Sequence, residues 1–208
     1  MQKIIALDCD GVLLNYIDKY KSIYEEMFNT EISVVNPRSF TADVHLGIDW
    51  TGREKEQRDF YELFAQKGWK SMKALPGAVQ ATEHMRDLGY KVVVVTSMPE
   101  EKALDRASNL KDVGIYFNDV IACGCHSKTR PGLNLKESHL KKLKPEYFAD
   151  DLLSNFYNVS DITKCVLIDW FCENNDDWNS HKETQQVKVF DNFESLIDFS
   201  NTHLKIKC

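Results

Sequence analysis

The chain has 208 residues, of which 43% are apolar and 28% charged, with a net charge of −6. These are the proportions of a folded protein with one sizeable core rather than of a disordered chain, and the acidic balance argues against nucleic-acid backbone as a partner. No apolar run reaches membrane-span length, no signal-peptide pattern opens the sequence, and the six cysteines show neither CxxC nor disulfide-framework spacing; a cytoplasmic protein with reduced thiols and no membrane contact is expected.

In chain order, residues 3–7 are an Ile-rich apolar run that reads as a buried parallel strand. From residue 15 to 73 the character turns charged and aromatic with helical spacing: Tyr16, Tyr20, Ile23, Tyr24 and Met27 repeat at three and four, as do Phe60, Leu63 and Phe64. Between them, 33–50 contains Asn36-Pro37 and little periodicity, and reads as loop with short pieces of structure. Leu75-Pro76-Gly77 marks a turn, followed by a helix with Val79, Met85 and Leu88 on one side, stopped at Gly89. A second strand at 92–95 ends on Thr96-Ser97. There Ser97 and Glu100 have capping-box spacing and Pro99 suits a first turn, which predicts a helix to about Leu110. A strand at 120–122, a helix over 135–143 and a strand at 147–149 that stops on Asp150-Asp151 come next. Strands at 165–168 and 187–190 and a last helix near 194–199 complete the chain. Strands alternating with helices predict an α/β fold with a mainly parallel sheet. The residues between the first strand and the return at Ala74 exceed an ordinary crossover, so the expected division is a core of 1–14 and 74–208 with a helical insert, 15–73, over the site.

The first strand ends in Asp8 and Asp10, spaced i and i+2, with Gly11 directly after. On an extended strand that spacing sends both carboxylates to one side, and Gly11 permits a sharp turn. Two such charges at about 4 Å repel by roughly 4 kcal/mol at an effective dielectric near 20, so a cation or a shared proton is needed to relieve them. Ligands of open parallel sheets bind beyond the carboxyl ends of the strands. Three strands here end in polar pairs: Asp8 with Asp10, Thr96 with Ser97, and Asp150 with Asp151. Four carboxylates beside two hydroxyls and a helix N-terminus suit Mg²⁺ and a phosphate.

With these residues in hand, the chain resembles the haloacid dehalogenase (HAD) superfamily. Asp8-Cys-Asp-Gly-Val-Leu13 matches the family's first motif, the strand ending in Thr96-Ser97 the second, and Asp150-Asp151 the acidic fourth; the run from Lys136 to Asp151 is similar to the lysine-led segment that precedes it. The resemblance implies a three-layer, Rossmann-like α/β core with a small helical cap. It implies Asp8 as the nucleophile that becomes an aspartyl phosphate, and Asp10 as the acid that protonates the leaving oxygen and then activates water. Thr96 and Ser97 would bind phosphate, Lys136 would neutralise the nucleophile and phosphate, and Mg²⁺ would be held by Asp8, the Asp10 main-chain oxygen, Asp150 and Asp151.

Lys128 competes with Lys136 for the lysine role. Cys123-Gly-Cys125-His126 and Asn174-Asn-Asp-Asp177 read as loops rather than ion sites, and His45, Asp49, Trp50 and Arg53 are unresolved candidates to face substrate. The implied function is a Mg²⁺-dependent hydrolase of a small phosphorylated metabolite. The alternatives are a 5′-nucleotidase, a phosphomutase, or a non-catalytic protein that binds a phosphorylated ligand.

Overall fold

A computed structural model of the chain describes residues 3–37, 39, 41–125, 134–169 and 189–204. Strands β1 (Ile4–Leu7), β2 (Lys91–Thr96), β3 (Asp119–Ala122), β4 (Tyr147–Asp150), β5 (Lys164–Ile168) and β6 (Val189–Phe193) form one sheet in the order β3-β2-β1-β4-β5-β6. Each pairing is parallel. Parallel neighbours need long crossovers, and helices α4 (Ala78–Asp87), α5 (Ala103–Asp112), α6 (Glu137–Leu143) and α7 (Leu196–His203) lie on or after these connections.

Alternation along the strands divides the interior in two. Leu7, Val92, Val94, Ala149 and Val166 share a core with Ala81 and Met85 of α4 and Phe199 of α7. Ala6, Val93, Val95, Phe148 and Leu167 face the other way, onto Leu140 of α6, Phe156 and Val159. Covering both faces makes a three-layer α/β fold and explains why β2 reads as four consecutive valines rather than as an alternating strand. The strand order reverses at β1, whose neighbours are β2 and β4, so the crevice beyond the ends of β1 and β4 is the topological switch point.

The 15–73 segment contributes α1 (Tyr16–Phe28), α2 (Ala42–His45) and α3 (Glu54–Lys67). Asn15 caps α1 by accepting from the Asp18 N–H at 3.0 Å, and the helix ends at Asn29 in the left-handed region, φ 47°. Aromatic rings fill the space between α1 and α3: Tyr20 and Phe60 have centroids 4.6 Å apart, and Phe64 meets Trp69 edge-on at 5.2 Å. Asp43 of α2 accepts from the Tyr20 hydroxyl and from Trp50 Nε1, pinning the irregular stretch to α1 and to its own far end. Departure and return lie side by side. Asn15 donates to the Lys73 carbonyl at 2.9 Å, Leu75 to the Leu13 carbonyl at 2.9 Å, and Leu14 pairs antiparallel with Ala74.

Three expectations are corrected. No capping box forms at Ser97: a 3-10 turn, Glu100–Lys102, precedes α5, and neither start has a side-chain cap. Pro99 explains this, because it keeps Met98 out of the helical region and separates Ser97 from the helix. Helix α6 begins at Glu137, with Lys136 as its N-cap residue rather than inside it. The last strand continues past the expected end at Phe190, to Phe193, with a register irregularity between Cys165 and Val166 on its partner. Asp191-Asn192 reads in the sequence as a strand end, but β5 continues to pair with the chain through Phe193. Residues 187–188, Lys128, His126 and the 174–177 run lie outside the described residues. No helix among those described is long and apolar enough to cross a membrane.

Candidate active site

Asp8 leaves β1 with its N–H bonded to the Ala149 carbonyl at 2.8 Å, which fixes it beside the end of β4. Cys9 points the other way into the core, and its carbonyl accepts from Leu13 and Leu14, closing the turn. Gly11 sits at φ +88°, and a Cβ there would lie 2.1 Å from Asp151 Oδ2. Glycine is therefore required twice, for the backbone conformation and for the close approach of Asp151.

Lys136 is buried to 1% exposure and places Nζ 2.5 Å from Asp8 Oδ1 and 2.7 Å from Asp150 Oδ2. Asp150 is fully buried. Its Oδ1 accepts from the Leu152 N–H at 2.9 Å, and Asn155 Nδ2 reaches both of its oxygens at 2.9 and 3.1 Å. Asn134 supports the same group from behind: Nδ2 donates to the Asn155 and Tyr157 carbonyls, and Oδ1 accepts from the Lys136 N–H. Such outer bonds hold charged side chains in one geometry. Asp151, by contrast, lines the cavity, as Asp8 does. Oxygens of Asp8, Asp150 and Asp151 all lie within 4.8 Å of one another.

Two buried carboxylates and a partly buried third against one lysine leave excess negative charge, and the ionisation behaviour reflects it. Asp8 is pushed up to about 7, chiefly by burial, with Lys136 opposing and Asp150 and Asp10 adding repulsion. Asp151 is raised well above the usual carboxylate range by burial and then by Asp150 and Asp8. Burial alone would lower Lys136, but Asp150 and Asp8 overcome it and hold the ammonium charged. A compact, all-oxygen, over-anionic cluster suits a hard divalent cation such as Mg²⁺. Asp151 is the carboxylate with cavity access, while Asp150 is bound to Lys136 and Asn155 and orients the lysine.

Asp10 also lines the cavity, but its carboxylate is outside that cluster. Arg106 of α5 holds it, with Nη2 2.7 and 3.0 Å from its two oxygens. Thr96 and Ser97, at the end of β2, line the cavity beside Asp8, and the buried Ser97 hydroxyl has no hydrogen-bond partner among the described residues. An unpartnered buried hydroxyl at a charged site is suited to an incoming acceptor.

The cavity above these groups is about 710 Å³. Its far wall comes from the 15–73 segment and is mainly apolar, with Ile17, Val34, Phe64 and Trp69 alongside Tyr16. His45 lines it too, its Nδ1 donating to the Ser39 carbonyl at 2.9 Å. Trp50 is buried in the segment's own core, and Arg53 stacks over Phe28 and Trp50 and bonds the Tyr24 hydroxyl. Cys125 reaches the cavity edge; it and Cys9, Cys123 and Cys165 are free thiols.

The structure thus brings Asp8, Asp10, Thr96, Ser97, Lys136 and Asp151 to one cavity, with Asp150 directly behind Lys136. Sequence reasoning missed Asn134, Asn155 and Arg106. The two asparagines carry no spacing signal; Arg106 reads as one more charge on an amphipathic helix.

A family model described as haloacid dehalogenase-like hydrolase matches residues 2–150. No curated protein matches by sequence. Among solved structures, a haloacid dehalogenase-like family hydrolase, SP0104 from Streptococcus pneumoniae, superposes with TM-score 0.62 at 14% identity, covering 94% of this chain and 95% of that one. A predicted phosphoglycolate phosphatase from Haemophilus somnus 129PT gives 0.58 at 15%, with 96% of each chain covered. The defluorinating L-2-haloacid dehalogenase Rha0230 gives 0.57 at 11%, covering 96% of this chain and 94% of that one. At these identities the structural likeness is one of fold, shared by phosphatase and dehalogenase alike. The sequence model spans most of the chain, including β1 with its aspartates and the strands flanking it, and the chain belongs to the haloacid dehalogenase-like hydrolases.

Proposed function

We propose that the protein is a Mg²⁺-dependent phosphomonoester hydrolase that works through an aspartyl phosphate on Asp8. One observation carries the reading: Lys136 Nζ lies 2.5 Å from Asp8 Oδ1, with Asp151 beside that carboxylate and a second acid, Asp10, two residues on. A carboxylate nucleophile alone would also serve dehalogenation. The second acid favours an ester, because a leaving alkoxide must be protonated and a leaving halide need not be.

In this reading an Asp8 oxygen attacks phosphorus and the phosphorus–oxygen bond to the leaving group breaks as Asp10 delivers a proton to that oxygen. Asp10 then takes a proton from water as the water attacks phosphorus, releasing inorganic phosphate and restoring Asp8. Lys136 offsets the charge of Asp8 and the phosphoryl oxygens, and the Thr96 and Ser97 hydroxyls donate to those oxygens. Asp8, Asp151, the Asp10 main-chain oxygen and Asp150 behind them would hold Mg²⁺, which supplies positive charge between two anions that would otherwise repel. The 15–73 segment is the cap over a core of 1–14 and 74–208, and its apolar wall meets the organic part of a small metabolite.

The test is turnover of 4-nitrophenyl phosphate with Mg²⁺, set against halide release from an L-2-haloacid. Phosphate release abolished by EDTA, with no halide release, is expected. Halide release that is indifferent to EDTA overturns the reading.

A further inference from the structure

Arg106 is a fully buried guanidinium on the face of α5 that also buries Asn109 and Leu110. Desolvating a cation costs several kcal/mol unless it is paired and hydrogen-bonded, so its surroundings should show what the charge is for. Nη2 bridges both oxygens of Asp10, at 2.7 and 3.0 Å. Nη1 donates to Met72 Sδ at 3.2 Å, and Cζ lies 5.4 Å from the centre of the Trp69 ring. One turn along α5, Asn109 bonds both the N–H and the carbonyl of Met72, each at 2.8 Å. The guanidinium is therefore trapped between the segment returning from the 15–73 insert and a single carboxylate. That carboxylate stands apart from the Asp8, Asp150 and Asp151 group.

We propose that Arg106 is a positioning residue for Asp10: it holds the Asp10 carboxylate at the cavity wall, out of the acidic cluster, where it can reach a leaving oxygen. Without that grip, rotation of a short Asp side chain would carry a fourth carboxylate toward the cluster, or toward bulk water. Trp69 and Met72 fix the guanidinium in turn, so the aim of Asp10 depends on how the returning segment is seated. This inference rests on the phosphatase reading and gives Asp10's geometry a cause.

The test compares two esters that differ in their need for a proton. An alkyl phosphate requires protonation of its leaving oxygen; 2,4-dinitrophenyl phosphate does not. Steady-state kcat/KM, which reports steps up to departure of the leaving group, is measured for wild type, Asp10→Asn, R106M and R106K. For R106M the expected result is a fall of about 100-fold on the alkyl ester, the range of one general acid, with less than about threefold change on the dinitrophenyl ester. Asp10→Asn should give the same selective loss, and the double variant should be no worse than Asp10→Asn alone. R106K keeps a buried cation and covers the case in which R106M does not fold; a smaller loss, again confined to the alkyl ester, is expected. Equal losses on both esters in the folded variants, or no loss on the alkyl ester, overturn the inference. A wild-type protein inactive on both esters overturns the phosphatase reading instead, and the positioning role with it.

Discussion

The strand-end cluster and the wall of the 15–73 segment enclose the same cavity on opposite physical terms. At the strand ends the buried ion pair is held by a network of named bonds: Asp150 is held by Lys136, Asn155 and the Leu152 N–H, and Asn134 fixes the residues that hold it. Such a network is directional, and removing one member strands the others. Across the cavity, Ile17, Val34, Phe64 and Trp69 offer apolar surface, which is non-directional and tolerates exchange of size and shape. In the proposed reading, reaction chemistry would sit at the strand ends, while selectivity would be left to packing.

The sharpest way to break this contrast is Asp8→Asn. The shape is kept and the nucleophile is lost, so kcat for a phosphomonoester should drop by about 10⁴-fold or more, as for removal of other covalent nucleophiles. Circular dichroism should be unchanged; a variant within tenfold of wild type would remove Asp8 from the chemistry. Next in size is Lys136→Met, which leaves Asp8 and Asp150 without their buried counter-charge. A stability loss of about 3–5 kcal/mol in urea denaturation is expected along with lost turnover. A change below about 0.5 kcal/mol would mean the network is not coupled as its geometry implies.

A third experiment sharpens the electrostatic side. Burial raises Asp8 to about 7 from an ordinary 3.8. The folded chain then binds more protons than the unfolded chain between those values, so in EDTA this group makes stability fall as pH rises through that window. Mg²⁺ competes with those protons, and its stabilisation, about 2.7 kcal/mol at a hundredfold excess over Kd, should be larger near pH 8 than near pH 5. Thermal melts in EDTA and Mg²⁺ at the two pH values decide it, and a pH-independent Mg²⁺ effect would count against binding at Asp8. The smallest effect is expected across the cavity. Val34→Glu, at a half-exposed wall position, should raise KM for an apolar phosphate about tenfold, or 1.4 kcal/mol, with kcat and melting temperature unmoved. A fall in kcat instead would tie the wall to the chemistry.

The sequence shows the elements that rest on short-range pattern. The apolar run into Asp8, the four valines before Thr96 and the strand into Asp150 each state their own position, and the helical spacing of Tyr16 to Met27 announces α1. Lys136 is legible through family resemblance rather than spacing, because its approach to Asp8 is made by the fold bringing β1 beside β4. Ser97 misleads because a capping pattern and a strand-end hydroxyl use the same residue, and Pro99 decides between them. Arg106 is invisible: a charged residue on an amphipathic helix normally faces water, and only the return of the chain over α5 buries it.

The antiparallel contact of Leu14 with Ala74 has a bearing on how such a chain diversifies. The two backbones that lead out to the aromatic segment and back are hydrogen-bonded neighbours, so the catalytic scaffold sees the whole excursion as one hairpin stem. A lobe of any length that begins and ends on that stem would graft without shifting Asp8 or its lysine. If the proposed reading holds, new leaving groups would become accessible by exchanging a module rather than by rebuilding a reaction centre.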